Sequence, residues 1–218
     1  GNANVTLSGG ALSTRSLQLG NQTSAGELTL VGATATVYAA AGLGVGMTGS
    51  GRVTLATEDT VLMVSTSGAT ANPVGNGAGS YGAIVVSNGL LSVAGSLYVG
   101  NGGSGDLWLG NGTGVVVSTL GIGYSAGATG RVTLAGPGAA LSGSPRMGVA
   151  TGSLGAVYVS NGLWQTSGEV KLGEDGQALV VLDGGSLYAN TSSVNAHIYI
   201  PFAQGTSRVM LTSADSKL

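Results

Sequence analysis

The sequence predicts an all-β fold, a parallel β-solenoid (β-helix) of about eight stacked coils of roughly 25 residues each. Three observations predict it. A short apolar-x-apolar triplet recurs at nearly even intervals, a second triplet ending in Gly follows it in most repeats, and Asn or Gly punctuates the chain at matching corners.

The first triplet appears as Val5-Thr6-Leu7, Leu28-Thr29-Leu30, Val53-Thr54-Leu55 and Ile84-Val85-Val86. It continues as Leu107-Trp108-Leu109, Val132-Thr133-Leu134, Val157-Tyr158-Val159 and Leu179-Val180-Val181. Successive starts lie 23, 25, 31, 23, 25, 25 and 22 residues apart, a spacing that stacked repeats impose. The one long interval holds Ser65 to Ser80, expected as a loop of about 65–80 inserted into the third coil.

The second triplet reads Leu17-Gln18-Leu19-Gly20, Leu43-Gly44-Val45-Gly46, Leu97-Tyr98-Val99-Gly100, Leu120-Gly121-Ile122-Gly123 and Val170-Lys171-Leu172-Gly173. Pro73-Val74-Gly75 and Met147-Gly148-Val149-Ala150 are weaker versions. A third apolar segment lies between, as in Leu90 to Val93, Val115 to Val117 and Leu163 to Gln165. Three strands per repeat describe a triangular coil.

In a strand, alternate side chains point to opposite faces, so Val5 and Leu7 share one face and Thr6 takes the other. One coil cannot bury its apolar face alone. Stacking coils about 4.8 Å apart buries it in a column and pairs each strand with its equivalents above and below. The corners after the first triplet carry Gly9-Gly10, Asn88-Gly89, Asn111-Gly112, Asn161-Gly162 and Gly184-Gly185, residues that accept a positive φ. An Asn-Gly pair also fits a hairpin, and hence a β-propeller, but propeller blades need roughly 40 residues and the unit here is shorter.

Composition narrows the function. Gly supplies 42 of 218 residues and charged residues only 7%, against about 25% in ordinary domains. Hydrophobic residues make up 43%, the reverse of the low-hydrophobicity, high-charge signature of disorder. Seven Lys and Arg spread along the chain cannot form the basic stripe that nucleic acid requires. No apolar run is long enough for a membrane-spanning helix. With no Cys, disulfides and thiolate metal sites are excluded. The chain opens on Gly1 without a charged stretch leading into an apolar one, and is expected to be a piece of a longer rod.

Charge also tests the register. The residue before each first triplet shares the outward face, so stacking sets Glu27 beside Arg52 and Asp106 beside Arg131, one coil apart. Opposed charges so placed are favourable by roughly 0.2–1 kcal/mol.

Segments such as Gly102-Gly103-Ser104-Gly105-Asp106-Leu107-Trp108-Leu109 and Gly155-Ala156-Val157-Tyr158-Val159-Ser160-Asn161-Gly162 resemble the Gly-rich repeats of autotransporter (type V secretion) passenger domains. The pattern is similar to a Gly-x-Gly-x-Leu-x-Val-x-Asn-Gly-Gly motif, and the resemblance covers residues 3 to 190. It implies a right-handed parallel β-helix, export to the cell surface, and a role in adhesion, aggregation or biofilm. The motif specifies architecture far better than activity.

Candidate sites are few. Many β-helices cleave polysaccharides with paired carboxylates. Of the nine acidic residues, Glu58-Asp59 and Glu174-Asp175 are adjacent in sequence and sit in turn-like contexts, so they read as solvated turns. Gly102-Gly103-Ser104-Gly105-Asp106 resembles a calcium-binding turn, but the Asp is displaced by one and no series follows. His197, the only histidine, has no Cys or second His to complete a metal site and reads as a surface or packing residue. Gly42-Leu43-Gly44-Val45-Gly46 arises from the repeat and lacks the Gly-Lys-Ser/Thr of a phosphate loop.

The outward positions of the first triplet read Thr6, Thr29, Thr54, Val85, Trp108, Thr133, Tyr158 and Val180. Trp108 and Tyr158 are the candidate ligand-binding residues, expected two coils and about 10 Å apart on one face. Exposed aromatics so placed suit stacking on sugar rings or packing on a partner. The Thr positions are too interrupted for a flat ice-binding array.

The expected organisation is a repeat domain over 1–190 and a terminal coil or cap over 191–218. The expected function is a structural and adhesive segment at the bacterial outer-membrane surface or secreted, a stiff rod presenting loops. No enzyme activity, cofactor, metal, nucleic acid or membrane insertion is expected. Surface glycans or other protein chains, further copies included, are the expected partners. A polysaccharide-degrading β-helix enzyme and an oligomerising filament module are the alternatives.

Overall fold

The computed structural model describes residues 1–32, 34–65, 71–166, 168–189 and 197–218, and among them every regular element is a strand. The first five are β1 (Asn2–Leu7), β2 (Ala11–Leu19), β3 (Ala25–Leu30), β4 (Thr36–Val45) and β5 (Ser50–Leu55). Next come β6 (Val61–Ser65), β7 (Ala71–Val74), β8 (Tyr81–Val86), β9 (Leu90–Val99) and β10 (Ser104–Leu109). They are followed by β11 (Gly114–Ile122), β12 (Thr129–Ala135), β13 (Ala140–Met147), β14 (Leu154–Ser160) and β15 (Leu163–Thr166). The last are β16 (Val170–Leu172), β17 (Gln177–Asp183), β18 (Ser186–Ala189), β19 (Ile198–Tyr199) and β20 (Thr206–Leu211).

The first triplets build one nine-stranded parallel sheet in the order β1-β3-β5-β8-β10-β12-β14-β17-β20. Nine strands bound about eight turns of a β-solenoid. The second and third segments build an eleven-stranded parallel sheet running from β2 to β18, with β7, β16 and β19 alongside. The expected triangle is therefore modified. In β2, β4, β9, β11 and β13 the second and third segments form one long strand, and register shifts such as that between Val117 and Thr119 mark the bend. A bulge bends a strand without releasing its neighbours.

Alternation places the core as expected. Leu28 and Leu30, Val53 and Leu55, Ile84 and Val86, and Leu107 and Leu109 are buried and join one cluster that continues to Leu187. Glu27 pairs with Arg52 and Asp106 with Arg131 in the ladder. Their side chains meet at 3.8 Å and 3.2 Å.

One triplet needs correction. Val157 pairs with Val180 and Tyr158 with Val181, so the last triplet is Val180-Val181-Leu182 and Val181, not Val180, stands outward. Val180 and Leu182 are both fully buried. Four apolar residues in a row, Leu179 to Leu182, hide the parity that alternation otherwise displays.

The 65–80 segment also differs from a simple loop. Ala71–Val74 is strand β7, paired with β4 and β9, and Ser80 is buried at the following corner. The extra length thus falls between Ser65 and Ala71, where 66–70 lie outside the described residues. Asn72 is fully buried here. Its Oδ1 accepts from the Leu43 amide and its Nδ2 donates to the Ser96 carbonyl, each at 2.9 Å, so the side chain ties coils on both sides.

Residues 190–196 lie outside the described residues, but the rest of the 191–218 segment continues the repeat. Ile198–Tyr199 extends the second sheet beside β16, and Thr206–Leu211 extends the first beside β17.

The corner between the sheets explains two columns of glycine. Gly46 has a φ of +67°, and a Cβ there would collide with the Tyr81 carbonyl of the next coil. A Cβ on Gly51 would in turn strike the Gly46 amide. With neither present, coil-to-coil bonds run around the corner, Gly46 N to Leu19 O and Gly75 N to Val45 O, both at 2.8 Å.

Candidate functional site

The outer face of the nine-stranded sheet carries the expected aromatic pair. Trp108 on β10 aligns with Thr133 on β12, which aligns with Tyr158 on β14, so two coils, about 10 Å, separate the aromatics. Trp108 is 36% exposed and Tyr158 is half-buried. The two do not touch. The Trp108 ring leans toward the following turn, its Cη2 only 2.9 Å from where a Cβ on Gly110 would sit, so glycine at 110 makes room for it.

Polar groups on neighbouring strands complete this face. The Arg131–Asp106 ion pair lies one outward position from Trp108 and Thr133. Tyr81, at the start of β8, donates its hydroxyl to Asp106 Oδ2 at 2.8 Å. Burial first, and then the neighbouring Asp106 carboxylate, push the Tyr81 hydroxyl above its ordinary pKa, so it remains a donor. Reasoning from the triplets missed Tyr81, because it precedes its triplet by three residues. Its outward parity, the same as that of Val85, was the available signal.

Asp106 is thereby engaged by Arg131 and Tyr81 on a strand, not presented from a calcium-binding turn. No group of three or more His, Cys, Asp or Glu that could hold a metal occurs among the described residues.

A second feature is a notch of about 570 Å³ at the corner that leads from the first sheet to the second. Glu58, Asp59, Asn88 and Asn111 line it, with Val61 and Leu90 beneath. Chain length creates it. Six residues separate the inward Leu55 and Leu62, four separate Val86 and Leu91, and five separate Leu109 and Val115. The short Asn88-Gly89 corner therefore lies recessed between two longer ones. Glu58 and Asp59 are both exposed in this turn, with Asp59 at φ +62°.

A third cluster decorates the eleven-stranded sheet. Arg146 on β13 donates Nε and Nη2 to the two oxygens of Glu174, both at 2.7 Å, and lies 5.6 Å from the centre of the Tyr124 ring. Its hydrogen bonds to Glu174 hold the guanidinium pKa further above its usual value. Tyr98 packs edge-on against Tyr124 at 4.4 Å. Lys171 meets Glu169 at 2.9 Å and the Phe202 ring at 4.5 Å. The Lys171 ammonium holds the Glu169 carboxyl below its usual range. His197 stacks edge-on against Tyr199 at 5.8 Å, as an exposed packing residue.

The carboxylates divide by role. Glu27, Asp106, Glu169 and Glu174 each face a cation on the same or an adjacent coil. Glu58 and Asp59 face the notch. What the surface offers is a shallow aromatic and polar face and a recessed corner, both suited to contact with a ligand. Compared with protein-family models, curated proteins and solved structures, the chain gives no match.

Proposed function

We propose that this chain is a structural and adhesive segment of a surface-exposed or secreted bacterial protein, a stiff rod that displays side chains and corner turns to surface glycans. The observation that carries the reading is the unbroken stack: nine strands in register over one continuous apolar core. Eight coil spacings of about 4.8 Å make a rod of roughly 38 Å in which every coil braces its neighbours. The autotransporter-like Gly-rich repeats supply the surface location and the adhesive role. Trp108, Tyr158 and the Tyr81–Asp106–Arg131 group form the contact face.

Binding of the intact chain to a broad glycan array, with Trp108→Ala and Tyr158→Ala alongside, tests this. Specific binding that both variants lose supports the reading. Equal binding by all three removes the aromatic face from the proposal, and no binding by the intact chain leaves a spacer rod.

Association with a second copy of the chain is a further reading, favoured by one observation. Residues 36–39, 61–65, 90–93, 114–117, 140–143, 163–166 and 186–189, stacked side by side in the second sheet, include no charged residue, yet Tyr38, Met63, Val116 and Tyr188 are exposed on them, Tyr188 at 62%. This strip spans roughly 30 Å by 15 Å, so two copies would bury about 900 Å², the size of a weak encounter.

A further inference from the structure

The chain contains five Asn-Gly pairs, at Asn76, Asn88, Asn101, Asn111 and Asn161. This dipeptide is chemically reactive. With no side chain on Gly to hinder it, the glycine backbone nitrogen can give up its proton to solvent base and attack the Asn Cγ. The new C–N bond closes a succinimide, the Cγ–Nδ2 bond breaks, and ammonia leaves. Water then opens the ring at either carbonyl, leaving aspartyl or isoaspartyl, with no change in oxidation state. The reaction requires an amide nitrogen free of hydrogen bonds, a side chain free to rotate, and room for the backbone to swing.

The fold distributes these requirements unequally. The Gly77 amide donates to Met47 O at 2.9 Å and the Gly102 amide to Gly75 O at 3.2 Å. The Asn76 and Asn101 side chains are also bonded to one another at 2.7 Å. Asn88 Nδ2 donates to Ala56 O at 3.4 Å, and Gly89 lies against Thr60, where a Cβ would strike the Thr60 carbonyl. Gly162 is buried, with the Ala139 carbonyl and Leu134 Cβ each 3.0 Å from its Cβ position.

Asn111-Gly112 is set apart by the exposure of both residues and the open space at Gly112. Neither the Asn111 carboxamide nor the Gly112 amide has a hydrogen-bond partner among the described residues. The Gly89 and Gly162 amides also lack a hydrogen-bond partner among the described residues, and Asn111 Oδ1 lies close against Gly136. Nothing lies within 4 Å of the Cβ position of Gly112. We propose that Asn111-Gly112 is a spontaneous modification site, converting to aspartyl and isoaspartyl forms in the folded protein ahead of the four other Asn-Gly pairs. Asn111 lines the notch together with Glu58 and Asp59. Conversion therefore sets a third carboxylate there and makes the formal net charge of −2 more negative by one.

Incubation of the folded chain in mildly alkaline buffer, followed by peptide mapping with mass spectrometry and isoaspartyl detection, tests the proposal. Each hydrogen bond that must open first slows the reaction by roughly fivefold or more, so Asn76 and Asn101 should lag Asn111 by at least that factor. In concentrated denaturant the five sites should converge, and Asn111→Ser should abolish the fast product. The proposal is overturned if any other pair leads in the folded chain. It is equally overturned if Asn111 stays an amide when folded yet converts when unfolded.

Discussion

Truncating the two tryptophans separately gives opposite results if the inward and outward faces are assigned correctly. Trp164 on β15 is 0% exposed and stacks in the ladder between Leu141 and Leu187. A fully buried ring of this size covers about 150–250 Å², worth roughly 4–6 kcal/mol at about 25 cal/mol per Å². Measured truncations of buried Phe or Trp to Ala cost about 3–5 kcal/mol. The hydrogen bond from Trp164 Nε1 to Gly143 O is 3.4 Å long and adds little. Trp164→Ala should therefore destabilise by about 3–5 kcal/mol, and Trp108→Ala by about 1 kcal/mol or less. Urea unfolding followed by circular dichroism measures both. A solenoid unfolds through nearest-neighbour interfaces, so midpoints are compared only where the two transitions keep the same slope. Equal losses, or a larger loss for Trp108→Ala, would refute the assignment, since a one-residue slip exchanges the two faces.

Four further outcomes are expected at the surface. Arg146→Ala removes both hydrogen bonds to Glu174, whose side chain is only 11% exposed, and should cost about 1–3 kcal/mol by the same unfolding assay. Arg131→Ala, which breaks an exposed pair, should cost about 1 kcal/mol or less. The raised pKa of Tyr81 favours its protonated form in the folded state, so its contribution is fully present below the unfolded tyrosine value of about 10 and is lost as pH rises through the folded value. Tyr81→Phe should flatten the alkaline limb of a stability-against-pH curve and leave the neutral region's slope unchanged. Val116→Lys places a charge on the uncharged strip at a position 51% exposed. It should abolish any concentration-dependent rise in mass seen by sedimentation, with stability unaffected.

The stack was legible because alternation in Val53-Thr54-Leu55 and its equivalents is visible without a structure, and because Glu27–Arg52 and Asp106–Arg131 report their own register. Parity fails where apolar residues run together. Leu179 to Leu182 gave no outward marker, and in Leu163-Trp164-Gln165 it is Trp164 that turns inward while Leu163 is exposed. The merging of two strand segments into one bent strand was hidden because the bulges at Thr14–Ser16 and Val117–Thr119 change length without changing composition. The Arg146–Glu174 pair was invisible for a different reason. One partner is on a strand and the other in the next coil's corner, 28 residues on, so no shared ladder position connects them. The notch likewise depends on differences in corner length, which matter only once the coils are stacked.

Parallel stacking in this register is the claim on which the rod, the contact face and the notch all depend. The chain has no cysteine, so a pair can be introduced cleanly. Thr29 and Thr54 are direct ladder partners, and parallel neighbours about 4.8 Å apart fall within the roughly 4.4–6.8 Å Cα separation that a disulfide accepts. Thr29→Cys with Thr54→Cys should oxidise to an intramolecular disulfide in the folded chain. Thr29→Cys with Val85→Cys, two coils apart, should remain reduced under the same conditions. The reverse pattern, or no bond in either, would contradict the stacked register.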